Sequence, residues 1–207
     1  MLAALTGLGL SAAAGLNAYI PMLVVGLLAR YSDLVRLPAE SGWLTDGRVL
    51  AGLGVLLAVE IVLDKVPVVD SVNDAVQTLV RPASGGAVFA ATDAAGRLDS
   101  SAFMQEHPWI GWGLGIGVAL LVHATKASVR PVANAGTMGA GAPLLSTIED
   151  AASLVMSVLA ILAPIIGLIA VLLAGYAGFR LLRRRRRRRA ARRSAAGRSA
   201  PERSAPT

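Results

Sequence analysis

The chain has 207 residues, 55% of them hydrophobic, with a mean hydropathy of +0.61, no cysteine and a formal net charge of +7 at pH 7. Soluble domains average about 45–50% apolar, and the excess here lies in Ala, Leu, Val and Gly blocks, which points to a small multi-pass membrane protein forming one folding unit. The lack of cysteine excludes disulfides, thiol catalysis and Cys-ligated metals.

The charge is divided along the chain. From residue 180 onward there are twelve Arg and one acid, Glu202, whereas residues 1–179 hold eight Lys or Arg against twelve Asp or Glu. The high pI therefore belongs to the tail, and a basic cluster beside an apolar run reads as a topology anchor and anionic-lipid contact. Nucleic acid is not an expected partner, because no aromatics are interleaved with the arginines and no recognisable module is present. Eighteen Arg against two Lys, with abundant Ala, is the composition of a GC-rich bacterial genome.

Residues 1–29 form the first apolar block, interrupted by Thr6, Ser11, Asn17, Tyr19 and Pro21. A cleaved signal peptide carries Lys or Arg near its start, and none precedes Arg30, so a retained helix is expected. Residues 31–48 carry Pro38, Gly42 and charges of both signs and read as a polar loop, with Trp43 suited to a membrane interface. Residues 49–59 are apolar, and Glu60 follows about 16 Å along a helix from Val49. Asp64, Lys65 and Pro67 come next. Residues 109–122 repeat this shape, ending in His123, Lys126, Arg130 and Pro131.

Short apolar segments with polar ends are a pointer to midplane sites in transporter folds. The stretches after them also rhyme, residues 80–86 with 129–136, and each leads into small residues. Re-entrant hairpins near 70–95 and 130–146 are one reading; chance likeness of Ala/Gly-rich segments is the other. Ser71-x-x-Asp74 and Ser146-x-x-Glu149 have capping-box spacing, which assigns Asp70, Asp74, Glu149 and Asp150 mainly to helix starts.

Residues 151–179 are almost uncharged, an apolar run longer than the roughly 20 residues a span needs. Arg183, Arg184, Arg185, Arg186, Arg187, Arg188 and Arg189 follow, and positive charge beside a span stays cytoplasmic. Beyond them, residues 190–207 are rich in Ala, Ser, Arg and Pro, a disordered composition. The expected organisation is a transmembrane helical domain over 1–179 and a basic cytoplasmic tail over 180–207. The expected fold is an all-α polytopic bundle of about four full spans, near 2–28, 49–66, 109–128 and 150–179, with one or two re-entrant or broken segments.

Glu60 and Asp64 share one helix face, and His123, Lys126 and Arg130 share another. Ionisable groups at membrane depth are costly and pair inside the bundle, so these residues, with Lys65, are assigned to a substrate or ion pathway. They serve equally as structural glue between helices. Asn17 joins them because Pro21 removes the hydrogen bond to the carbonyl four residues back, making a ligand-coordinating kink or a plain one. No catalytic residue, metal-ligand set or cofactor motif is assigned. His107 and His123 lack ligand spacing, and HExxH, GxSxG and Walker-type loops are absent.

The stretch Gly9-Leu10-Ser11-Ala12-Ala13-Ala14-Gly15-Leu16-Asn17-Ala18-Tyr19-Ile20-Pro21 is distinctive. With Glu60…Asp64-Lys65-x-Pro67-x-x-Asp70 and Lys126…Arg130, it resembles an uncharacterised bacterial membrane family, domain-of-unknown-function family 4126, over about residues 3–175. The resemblance implies a multi-pass inner-membrane protein and brings no activity with it. The functional expectation is a small transporter or lipid- or anion-handling carrier. The alternative is a membrane scaffold or accessory subunit with structural charges, and a membrane hydrolase ranks third.

Overall fold

The computed structural model describes the backbone of residues 2–65, 67–96, 106–107, 109–137 and 141–164, with separate positions between 166 and 183; its side chains exclude those at 2–3, 67–72, 93–96, 129–137 and 142. Two compact units are present, Met1–Val171 and Leu172–Thr207, and the elements described here belong to the first. Among the described residues every regular element is helical: α1 (Leu2–Leu16), α2 (Tyr19–Tyr31), a 3-10 segment (Ala39–Thr45), α3 (Gly47–Leu63), α4 (Pro67–Gly96), α5 (Trp109–Thr137) and α6 (Gly141–Leu162). The protein is all-α, as expected from the sequence.

The first helix is the centre of the bundle and packs on α4, α5 and α6. Leu10, Ala12, Ala13 and Ala14 are fully buried there. Small residues let the backbones approach. A Cβ on Gly15 would stand 2.6 Å from the Ala119 carbonyl, and one on Gly85 would meet the Gly115 carbonyl at 2.8 Å. Hydroxyls tie the same contacts, since Ser11 donates to the Gly85 carbonyl and Ser153 to that of Ala13, both at 2.9 Å.

The first apolar block is not one straight helix. It breaks at Asn17 and Ala18, and both arms lie along the same length of α6. On the first arm Gly9 abuts Ala160, Ala13 bonds Ser153, and Asn17 bonds Asp150. On the second, Ile20 lies near Asp150, and Leu27 and Leu28 near Val158 and Leu162. The pair is a V with its apex at Asn17. Local chemistry makes this start clean: the Asn17 Oδ1 accepts the N–H groups of Tyr19 and Ile20 at 3.0 and 3.1 Å. Pro21, next in the first turn, has no N–H to satisfy. An uninterrupted helix over residues 2–28 is thereby corrected.

The break lies at the kink expected from Asn17 and Pro21 but opens into a V. The segment near 70–95 expected as a hairpin lies within one helix, whereas 130–146 takes in the end of α5 and the start of α6. Residues 67–96 form one α-helix running through Pro82, and residues 109–137 form another running through Pro131. Pro67 opens α4, and proline is favoured there because a first-turn N–H is unpaired anyway. Asp74 therefore lies inside the helix and does not cap it. Likewise α6 begins at Gly141, five residues before the Ser146 capping box, with Pro143 in its first turn. It stops at Leu162 because Ala163 precedes Pro164 and is pushed out of the α region. The apolar run over 151–179 is thus not one uninterrupted helix.

Peripheral α3 is capped by Asp46, whose side chain accepts from the Arg48 N–H at 2.7 Å. It buries only Leu50, Leu53 and Glu60. Two described stretches are long and apolar enough to cross a membrane, Trp109–Ser128 and Pro143–Leu162.

Candidate functional site

Four helices and the apex of the V turn their polar residues toward one another. From α3 and its C-cap come Glu60 and Asp64, one turn apart and each 2% exposed. From α4 come Asn73, Gln77, Arg81 and Ser84, all buried and spaced by three or four residues, so that they share one face. Helix α5 supplies His123 and Lys126, and α6 supplies Glu149 and Asp150.

Arg81 organises the first half of this centre. Its Nη2 donates to the Glu60 Oε1 at 2.9 Å, and its Nη1 lies 3.1 Å from the His123 Nδ1. A guanidinium has no acceptor, so Nδ1 accepts and the imidazole carries its proton on Nε2. That proton goes to the Thr78 Oγ1 at 3.0 Å, and the Thr78 hydroxyl donates onward to the Asp74 carbonyl at 2.9 Å. The result is a directed chain from Arg81 to the backbone of α4. Asp74 also lies 3.7 Å from Arg81 through its carboxylate.

Lys126 organises the second half. Its ammonium lies 2.9 Å from the Glu149 Oε2, 3.1 Å from the Leu16 carbonyl and 4.0 Å from the Asp64 Oδ2. The other Asp64 oxygen accepts from Asn73 at 2.7 Å. Leu16 ends α1, so its carbonyl has no further turn of helix to bond it. A second contact at the apex comes from Ser84, which donates to the Ala18 carbonyl at the start of α2. The backbone on either side of the break is thus held by α5 and α4. The Asn17 amide completes the apex by donating to Asp150 at 2.9 Å.

Some polar capacity is left over. The Glu60 Oε2, Gln77 Oε1, Arg81 Nε and Ser146 Oγ are buried with no hydrogen-bond partner among the described residues. The first three belong to neighbours at the Glu60–Arg81 contact, with Gln77 one turn before Arg81.

The structure brings together Asn17, Glu60, Asp64, His123 and Lys126 among the residues expected from sequence. It leaves Lys65 outside: that side chain is exposed and donates to the Ile61 carbonyl at 3.2 Å. The carbonyl expected to coordinate at the kink was that of Asn17, whereas those held by side chains are Leu16 and Ala18. The Arg130 side chain, and Arg184, Arg185, Arg186, Arg187, Arg188 and Arg189, lie outside the described residues, while Arg183 is exposed. Sequence reading missed Arg81, Asn73, Gln77 and Thr78, and it gave Glu149 to a cap. The signal was the period of 73, 77, 81 and 84, which a hairpin reading of this segment concealed.

These features define an all-α bundle with a charged, hydrogen-bonded interior gathered on a broken helix. The chain belongs to the family described as domain of unknown function DUF4126, matching it over residues 4–184. That span takes in the V, all four polar faces and the first two arginines of the run. No curated protein and no solved structure matches the chain.

Proposed function

We propose that the protein is a multi-pass protein of the bacterial cytoplasmic membrane, and that the centre around Lys126 is where a small carrier engages its substrate or coupling ion. Embedding is supported by the inversion of side chains. Arg81 is fully buried, while Leu79, two residues earlier on the same helix, is 79% exposed, and Leu121 and Val62 are 68% and 64% exposed. In water such a surface is a liability. In hydrocarbon it is the normal exterior, and ionisable groups turn inward to pair. On this reading α1 and α2 form a hairpin that enters and leaves on one side, with its apex toward the opposite interface and its irregular backbone buried in protein. Arg183 to Arg189 keep the C-terminal end cytoplasmic by binding anionic headgroups.

The observation that carries the carrier reading is the Lys126 contact with the Leu16 carbonyl at the break. Discontinuous helices whose ends meet charged groups inside the bundle are how transporter folds build sites. The buried Glu60 carboxylate and Arg81 guanidinium add a second charged pair to the same interior. The test is metabolite and lipid profiling of a deletion strain complemented with wild type or with Glu60→Gln. Wild type should restore the profile, and Glu60→Gln should fail to restore it while accumulating normally in the membrane.

A scaffold or accessory subunit is the second reading. Its support is the mutual bonding of Glu60, Arg81, His123 and Thr78, together with the tight Gly85–Gly115 crossing. In that case Glu60→Gln would lower assembly and phenotype in equal proportion.

A further inference from the structure

A groove on the outer face, between α2, α3 and α6, takes no part in the Lys126 and Arg81 contacts. Its main cavity is about 450 Å³, walled by Leu23, Val24, Leu27, Leu57 and Leu154. That lies within the roughly 300–1,000 Å³ of small-ligand sites. A second cavity of about 260 Å³ shares Val24 and Leu27 with the first and carries the groove on to Val158 and Leu162. Polar lining is confined to one end, where Lys65, Thr147 and Asp150 stand. From Thr147 to Leu162 the groove is about 22 Å long at 1.5 Å per residue. One leaflet of hydrocarbon is about 15 Å, half of the roughly 30 Å core, so an acyl chain can lie along it.

The polar end carries both signs. An ammonium has three donors, and the Ile61 carbonyl takes one of those of Lys65. Asp150 accepts from Asn17 through one oxygen, Oδ1. A cation and a carboxylate at one end of an apolar groove complement a headgroup with a phosphate and a protonated amine. A purely anionic headgroup would satisfy Lys65 and be repelled by Asp150. A quaternary ammonium would satisfy the charge of Asp150 but bring it no N–H donor.

We propose that this groove seats one phospholipid with a zwitterionic, amine-bearing headgroup, its phosphate at Lys65, its ammonium at Asp150 and one acyl chain between α2 and α6. The proposal rests on the membrane reading above and adds the lipid class and its seat.

Native mass spectrometry of the full chain, released from vesicles of equimolar phosphatidylethanolamine, phosphatidylcholine and phosphatidylglycerol, tests it. One phosphatidylethanolamine should be retained per chain, at least tenfold over the other two. Lys65→Ala should cut retention about tenfold, and Asp150→Asn should abolish the preference over phosphatidylglycerol. Val24→Trp fills the groove without touching either charge and should expel the lipid; with Lys65→Ala it decides the matter if Asp150→Asn misfolds. Equal retention of the three lipids, unchanged retention in Val24→Trp, or a second copy cross-linked across the groove through Leu154→Cys would each overturn the proposal. Alkaline carbonate extraction separates the two levels. A wild-type chain that washes off the membrane ends the embedding reading, whereas one that stays embedded without lipid preference ends only the lipid seat.

Discussion

Lys126 on α5 donates to the carbonyl of Leu16 across 3.1 Å, joining residues 110 positions apart at the point where α1 stops. The same ammonium meets Glu149 at 2.9 Å, so a helix end, a cation and a carboxylate from three helices share one contact.

Lys126→Met should therefore be expensive. It leaves Glu149 and Asp64 without this cation in a buried setting, and removing one partner of a buried pair costs about 3–5 kcal/mol. Thermal unfolding in detergent measures it. Lys126→Met combined with Glu149→Gln should lose less than the sum of the singles, since neighbours in one network are not additive. Strict additivity would mean that the two side chains do not interact.

Asn17 does two jobs that substitution can separate. Asn17→Ala removes the acceptor for Tyr19 and Ile20 and the donor to Asp150, and loss of a cap alone costs about 0.5–2 kcal/mol. Asn17→Asp keeps the cap but sets a second carboxylate against Asp150. If the cap dominates, Asp is the milder change; if the Asp150 contact dominates, Asp is at least as harmful as Ala. The geometry, with Asn17 fully buried, predicts the second outcome. Melting temperatures of the two variants decide.

The α4–α5 crossing makes a sharper comparison. A Cβ on Gly115 would collide with the Gly85 carbonyl and stand 2.7 Å from the Phe89 Cβ, whereas Gly113 and Gly117, two residues to either side, face open space. Gly115→Ala should cost about 1–3 kcal/mol by overpacking. Gly113→Ala and Gly117→Ala should be neutral within about 0.5 kcal/mol or slightly stabilising through helix propensity. Similar melting shifts for all three would refute this packing.

Folding the first block into a V has a topological consequence. Both arms lead from the apex to the Ala160 end of α6, so Ala4 and Ser41 should label from the same side of the membrane. The sequence contains no cysteine, so Ala4→Cys and Ser41→Cys can be read singly with an impermeant maleimide. Labelling from opposite faces would mean that residues 2–28 cross after all.

The arginine run makes the last prediction. Each Arg near an anionic leaflet contributes about 1 kcal/mol, so replacing Arg183 to Arg189 with Ser should weaken the cytoplasmic bias of residue 195 in a labelling assay. Removal of residues 194–207 should leave that bias intact. Unchanged topology with a lost protein or nucleic-acid partner would make the tail a docking arm.

Helical class was legible because apolar blocks dominate the composition, and the pairing of the α3 and α5 charges was legible because buried charges need each other. The site of a kink was legible as well, since Asn17 and Pro21 mark it, but its opening into a V was not. Asn17 and Pro21 are both tolerated in a plain kink, and only the later residues Ser84, Lys126 and Asp150 make the apex worth forming. Conversely, the hairpin reading does not anticipate that Pro82 and Pro131 both fall inside helices. Arg81 was hidden for the same reason: with its segment read as a hairpin, the three-to-four spacing of Asn73, Gln77, Arg81 and Ser84 went unused.

The V also sets an order of assembly. Its apex is made before α3 to α6, yet the described side chains that hydrogen-bond it from other helices are Ser84, Lys126 and Asp150. Until those residues are made, the Leu16 carbonyl lacks its Lys126 donor and Asn17 its Asp150 acceptor, so the two short arms are not yet held together at the apex. If the chain is embedded as proposed, the N-terminal hairpin waits at the membrane surface or in the insertion machinery until α4 to α6 arrive, and a chain truncated before α5 should leave it exposed to proteolysis.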